Sequence, residues 1–344
     1  MEAGLTRRRA AAFLIVMVSG VLLLAGLFLL SYRPHEQGPV SLPGWQVIRP
    51  PQDIFALAVQ GETLWAGGVE GVYQLDRSTG ALVQQLPADP PLEYVRALLV
   101  DNEGRLWIGH NQGLTSYQAG NWQTFTRAQG LPDDRVNALA LDAAGQLWVG
   151  TWGGAARQTE TGWQTLTQAN GLLDNMVNVI LPLPDGGLWF GAYAAPRGGL
   201  SYLAPNGAWQ YFNVANGLPH NNITSLVAVN PGQVWAGTGL NDRGGAAELV
   251  QSAEGIWYLA QVLTLEDGLA GAKVRSLALA PDGAVWFGSE YDGLAIWRSG
   301  AFQVYTTQDG LSHDEIKAIL FDADGAAWLA TRDGLTHIAP SARP

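Results

Sequence analysis

The sequence predicts an all-β fold, a seven-bladed β-propeller of four-stranded antiparallel blades, preceded by a single N-terminal transmembrane helix. Three observations lead there. A Trp-containing motif recurs seven times at a nearly even interval. An uncharged apolar run follows a cluster of arginines near the N-terminus. The last repeat lacks its fourth strand, and a segment that matches that strand precedes the first repeat.

The apolar run, residues 10–30, reads AAAFLIVMVSGVLLLAGLFLL. As a helix its 21 residues would rise about 31 Å, the thickness of a bilayer core. A cleaved export signal would carry a shorter apolar core, about 7–15 residues, followed by small residues at the cleavage site. Here the run leads into Ser31-Tyr32-Arg33-Pro34, so the reading is an anchor. The expected organisation is a short cytoplasmic tail over 1–9, a transmembrane helix over 10–31, a linker over 32–43 and the propeller over 44–340. Arg7, Arg8 and Arg9 put the tail in the cytoplasm and the propeller on the extracytoplasmic side, periplasmic or extracellular, of the cell membrane.

The repeat is a strand, a Gly-containing turn, then apolar-Trp-x-Gly. Its tryptophans are Trp65, Trp107, Trp148, Trp189, Trp235, Trp286 and Trp328, spaced by 42, 41, 41, 46, 51 and 42 residues, the size of a propeller blade. In the second unit, strand A reads from Val95 to Asp101, and strand B follows the turn at Gly104. The first Val or Ile of strand A precedes the Trp by 12 residues in six units and by 11 in the first, which implies one repeated hairpin. Strand C follows a loop ending in Gly. Strand D carries an aromatic-Gln pair, as in Trp122-Gln123, Trp163-Gln164, Trp209-Gln210 and Phe302-Gln303. A blade cannot cover its own two faces, so the blades must pack on one another. The Trp supplies the wedge, and the Gly two residues later, on the same face, lets the next sheet approach. Ala330 takes that place in the seventh unit. The seventh unit also lacks strand D, and Gly44-Trp45-Gln46-Val47 carries the missing Trp-Gln pair, so residues 44–48 are expected to close the ring.

The repeat resembles the two-component regulator propeller repeat. Gly130 to Thr151, GLPDDRVNALALDAAGQLWVGT, matches its pattern almost throughout, Gly310 to Leu335 matches well, and the likeness extends from Trp45 to Ile338. The resemblance implies a seven-bladed sensor or ligand-binding ectodomain of the kind attached to hybrid histidine kinases. No kinase, receiver or DNA-binding stretch is found in this sequence, so sensing would need a separate signalling partner.

Composition narrows the chemistry. With no cysteine there is no thiolate nucleophile, disulfide or Cys-ligated metal. A net charge of −11 disfavours nucleic acid. There is no nucleophile elbow and no phosphate loop. Asp322-Ala323-Asp324-Gly325 echoes part of a calcium loop, but it stands where the other units have their A–B turn and reads as a turn. His110, His220 and His313 fall in loops that could share one face, yet none are paired at metal-ligand spacing. Streptogramin lyases are seven-bladed propellers too, and the His and Glu cluster of their catalysis is not visible in this sequence.

The remaining signal lies at the second residue of strand A. It is Phe55, Arg96, Asn137, Asn178, Thr224, Arg275 and Lys317, six of the seven polar in otherwise apolar strands, so this position should face the central channel. Asp134, Asp314 and Glu315 are the carboxylates nearby that could neutralise the cations. Trp152, Tyr193 and Tyr291 follow strand B and would flank the channel mouth, where they could stack on a sugar ring or a partner. Long B–C loops are read in units 4 and 5, residues 192–200 and 238–246.

The function expected is therefore a non-catalytic binding or scaffold module, such as an accessory subunit of a membrane protein complex. The alternatives are a ligand-sensing ectodomain with a separate partner, and a streptogramin-lyase-like enzyme. Expected partners are the membrane, a protein in or at it, and a small molecule or glycan; no cofactor, metal or nucleic acid is expected. The topology has a direct test. Alkaline phosphatase fused after the C-terminus should be active in a bacterial host and a fluorescent protein there dark; the reverse pattern overturns the orientation.

Overall fold

The computed structural model describes residues 41–87, 92–193 and 197–344. The proposed anchor, residues 10–31, lies outside them, and no helix among the described residues is long and apolar enough to cross a membrane. The described chain forms seven four-stranded antiparallel sheets. Six of them run A-B-C-D in chain order. In the seventh, strand A (Ile316–Phe321), strand B (Ala327–Thr331) and strand C (Gly334–Ile338) are followed by an outer strand from the other end of the repeats, Trp45–Ile48. Trp45 lies opposite Ile338 and Ile48 opposite Leu335. Strand A of each blade touches strand A of the next, blade 7 touching blade 1.

The core is divided among seven apolar clusters, each at a junction between blades and each holding one strand-B Trp. These tryptophans are buried throughout. What sets the spacing between blades is the Gly after each Trp. A Cβ at Gly109 would lie 2.6 Å from Val136 Cγ1, one at Gly150 would lie 2.9 Å from Val177 Cγ1, and one at Gly191 would lie 2.6 Å from Ile223 Cγ2. In each case the neighbour is the first residue of the next blade's strand A. The same meeting occurs at Gly67 with Val95, Gly237 with Val274 and Gly288 with Ile316.

Turn chemistry fixes the other two corners of the blade. In the A–B turn, Asp101, Asp142 and Asp322 each accept backbone N–H groups through Oδ1 and the Trp indole N–H through Oδ2, at 2.8, 3.0 and 3.1 Å for Trp107, Trp148 and Trp328. Both oxygens of Asp322 are therefore occupied by the turn. In the D–A connection, a one-turn 3-10 segment such as Arg127–Gln129 is capped by Thr126 and ends at Gly130, whose φ of 103° suits a residue without Cβ. The next residue, Leu131, plugs the blade junction. Asp134 then accepts from Arg127 N at 2.7 Å, and Asp314 accepts from Thr307 N at 2.6 Å. Those two carboxylates hold turns. They do not neutralise the channel cations as the sequence suggested.

Two strand readings change. Strand A of blade 2 is shorter than read, Ala97–Val100. In blade 5 the stretch read as a long B–C loop continues the ladder: Thr238 pairs with Gly245, Gly239 with Gly244, and Leu240 with Arg243. The glycines permit this because the backbone of the D–A loop crosses close by. A Cβ at Gly239 would lie 2.9 Å from Lys273 Cα. Sequence reading counted these glycines as loop formers, whereas here they mark close approach.

The blade spacing yields a prediction. Gly109→Ala should destabilise the protein by about 1–3 kcal/mol through overpacking against Val136. Ala330→Gly, at the one blade that already holds a methyl there, should cost less than about 1 kcal/mol. Equal denaturation midpoints for Gly109→Ala and the parent would show that the glycine is not a spacer.

Candidate functional site

The strand-A ring is built by a shared irregularity. Each strand A except that of blade 2 has a break in register around its second residue: Val136 pairs with Thr151 and Ala138 with Gly150, leaving Asn137 unpaired in the ladder. The same break surrounds Phe55, Asn178, Thr224, Arg275 and Lys317. In blade 2 the regular ladder begins just after Arg96, whose N–H still bonds to Gly109 O at 2.9 Å. A bulge re-aims the side chain it carries and ends regular pairing. Repeated in six blades, it turns six side chains inward, and Arg96 of blade 2 joins them. Together they line a cavity of about 410 Å³, joined by Trp152, Tyr193, Lys273 and Glu290.

The ring is not uniform. On the side of blades 6, 7 and 1, charges alternate. Lys273 and Arg275 share Glu290, at 3.1 and 2.5 Å. Arg275 also meets Glu315 at 2.7 Å, and Lys317 lies between Glu315 and Asp53. The Lys317 side chain is only 4% exposed, so these carboxylates are what allow its charge there. Burial pushes the Glu290 carboxyl up, but Arg275 and Lys273 outweigh it and hold the group below its usual range. On the side of blades 3, 4 and 5, the ring is neutral. Asn178 donates to Ile223 O at 3.0 Å, and the Thr224 hydroxyl donates to Val274 O, tying strand A of each blade to the next.

Arg96 differs from the other three cations, because no carboxylate lies within ion-pair distance of it among the described residues. Its Nε donates to Asn111 Oδ1 at 3.3 Å, and its guanidinium sits 5.7 Å from the ring centre of Phe55 and 6.0 Å from that of Tyr94. Phe55, the one apolar member of the ring, also carries Lys317 Nζ at 4.3 Å from its centre, so its π face serves two cations. Burial lowers the Arg96 pKa from its ordinary value, and the charge of Arg275 lowers it further.

Of the nine residues marked from sequence, eight meet at this cavity: Arg96, Asn137, Asn178, Thr224, Arg275, Lys317, Trp152 and Tyr193. Trp152 is covered on one side by Arg135, at 4.1 Å from the ring centre. Tyr193 lies 5.9 Å from Lys273 Nζ. Tyr291 does not line this cavity. It is 63% exposed and lines an adjoining groove of about 400 Å³ with Leu265 and Asp292, which shares Lys273 and Glu290 with the channel cavity. Sequence reading missed Lys273 and Glu290. Both flank strands already located, Lys273 just before strand A and Glu290 just after strand B of blade 6, and their opposite charges at paired ends were the available signal.

The histidines serve locally. His110 Nε2 meets Thr115 Oγ1 at 2.9 Å, and the Nδ1 atoms of His220 and His313 accept from Asn222 N and Glu315 N at 2.9 and 2.8 Å. Among the described residues no three His, Asp or Glu side chains are grouped to hold a metal.

The repeat can now be placed among known proteins. The family model described as two component regulator propeller matches residues 89–112 and 130–153. The chain carries two component regulator propeller repeats. No curated protein matches its sequence. Among solved structures, it is similar to the extracellular domain of a protein described as a hybrid two component system from B. thetaiotaomicron, with a TM-score of 0.73 at 20% identity, over 87% of this chain and 41% of that one. It is also similar to virginiamycin B lyase from Staphylococcus aureus, with a TM-score of 0.65 at 15% identity, over 86% of this chain and 98% of that one. A third is PorZ, a surface component of the type-IX secretion system of Porphyromonas gingivalis, with a TM-score of 0.61 at 15% identity, over 83% of this chain and 46% of that one. At these identities the likeness is one of fold. The chain spans about two fifths of the B. thetaiotaomicron extracellular domains it matches.

One titration follows from the end of strand B in blade 2, at His110. His110 is 2% exposed, and burial pushes its pKa down to about 4. Folded, it stays neutral to about pH 4, while the unfolded chain takes the proton near pH 6.5. The unfolded state binds more protons across that window, so the stability supplied by neutral His110 is present above it and is lost as pH falls through it. Between pH 7 and pH 5 the parent should lose roughly 2 kcal/mol more than His110→Gln in denaturant titrations. Identical pH dependence of the two proteins would overturn the assignment.

Proposed function

We propose that this chain is a non-catalytic binding module, held at the outer face of a membrane by residues 10–31, whose channel mouth takes an anionic or hydroxyl-rich group. The observation that carries the reading is the bulged ring: six of the seven strands break their ladder at the same residue, and the side chains so released meet Arg96 of blade 2 in one polar cavity. A stability role alone does not call for this, because regular pairing would make more backbone hydrogen bonds. The charge supports the same reading. In a chain of net charge −11, four cations gather at one mouth against the three carboxylates Asp53, Glu290 and Glu315.

A binding role is favoured over catalysis because each of those carboxylates is committed to a cation, which leaves no carboxyl poised as a general acid or base in the cavity. Likeness to the hybrid two component ectodomain supports a sensing version of the role, with the output in a separate partner. Likeness to PorZ supports a version as an accessory subunit of a surface assembly.

The test is a plug. Asn137 lines the cavity and makes no hydrogen bond through its side chain to the described residues. Replacing it with Trp should fill the mouth without opening an ion pair. The purified chain would be screened by thermal shift against small acids and oligosaccharides, and every compound that stabilises it would be retested on Asn137→Trp. Loss of the shifts in a variant whose own melting temperature is within about 3 °C of the parent supports the channel site. Shifts that persist in the plugged variant would move the site to the outer blade edges.

A further inference from the structure

The four cations at the mouth do not stand alike. Three are threaded with three carboxylates into one chain of contacts, from Lys273 through Glu290, Arg275 and Glu315 to Lys317 and Asp53. That chain is balanced in charge and closed to a further anion, since Arg275 is already shared between two carboxylates. Arg96 is outside it. Its guanidinium is open to the channel, and only Nε has a hydrogen-bond acceptor, Asn111 Oδ1. Both terminal nitrogens lack an acceptor among the described residues. A guanidinium presents those nitrogens as a planar fork that fits the two oxygens of a carboxylate.

We infer that the channel mouth selects a ligand bearing a single carboxylate, held two-pronged on the terminal nitrogens of Arg96, with the ligand's body lying toward Tyr193 and the neutral polar side of the ring. This rests on the reading of the mouth as a binding site and narrows it to one anchor and one charge. The cavity holds one cation in excess of its carboxylates, so one negative charge completes it. A dianion such as a phosphate monoester would bring a second charge that meets Glu290 and Glu315 with no free cation left to offset it. A neutral ligand would leave the fork with water. Arg275 and Tyr193 line the same cavity as the anchor. The cavity, about 410 Å³, has room for a body of one or two sugar rings.

Three probes with one body separate the outcomes: glucose, glucuronate and glucose 6-phosphate, titrated calorimetrically into the purified full chain at pH 7.5. Glucuronate should bind at least tenfold more tightly than glucose, and glucose 6-phosphate no more tightly than glucuronate. Arg96→Gln should weaken glucuronate at least tenfold while leaving the unliganded melting temperature within about 3 °C, because no carboxylate loses its partner. Arg96→Lys, which keeps the charge and loses the fork, should fall between the two. Tighter binding of glucose 6-phosphate than of glucuronate overturns the single-charge inference and leaves the channel site standing. Glucuronate binding that is unchanged in Arg96→Gln but lost in Asn137→Trp overturns the anchor alone. Binding unchanged in both overturns the channel reading as well. No glucuronate binding at 20 mM, about a hundredfold above a constant of roughly 0.2 mM, overturns the inference, and the plugged-channel screen then decides the broader reading by itself.

Discussion

The structure depends on a single kind of contact: the strand-B glycine of one blade against the first Val or Ile of the next blade's strand A. A Cβ at any of the six glycines would come within 3 Å of that side chain. The contact sets how near adjacent sheets approach, and the Trp two residues earlier on the same strand and face packs into the same kind of junction. Blade 7 departs only by a methyl, and its outer strand, Trp45–Ile48, joins the two ends of the ring through backbone pairing.

The same contact explains where the polar ring comes from. The first residue of strand A is pinned against the glycine, and the third and later residues pair regularly with strand B. The second residue is left over between the two constraints, and the bulge is how the chain accommodates it. Its side chain has no place in the blade junction and turns to the channel. This position lies outside the glycine contact that spaces the blades. The blades use it unevenly, with alternating charge on one side and amide, hydroxyl and aromatic groups on the other.

Charge placement within the ring shows how costs are met locally. Lys317 is nearly closed off from solvent, yet it has Asp53, Glu315 and the face of Phe55 around it. Arg96 lacks a carboxylate and is correspondingly open to the channel water. An unpaired cation is tolerable only where solvent or a ligand reaches it. The two residues share a repeat position and a charge, and they differ in pairing and exposure.

The sequence by itself determined the blade number, the strand-A, strand-B and closing-strand positions, the wedge tryptophans and the inward direction of the ring. These follow from short-range spacing, because each blade is a local hairpin assembly whose period shows directly in the chain. It also led to eight of the nine residues marked for the mouth. Only the tertiary structure decided which charges pair. Arg275 with Glu315, and Lys317 with Asp53, bring together residues of different blades, and periodicity carries no information about such partners. Asp134 and Asp314 looked like channel carboxylates but are used by turns, since a backbone N–H seven residues back is nearer than the channel. Tyr291 stands one residue beyond the repeat position of Trp152 and Tyr193, which Glu290 holds in blade 6, and it lines the adjoining groove instead. Which way a loop turns is settled by what the neighbouring blade leaves room for, and that is a property of the closed ring rather than of the repeat.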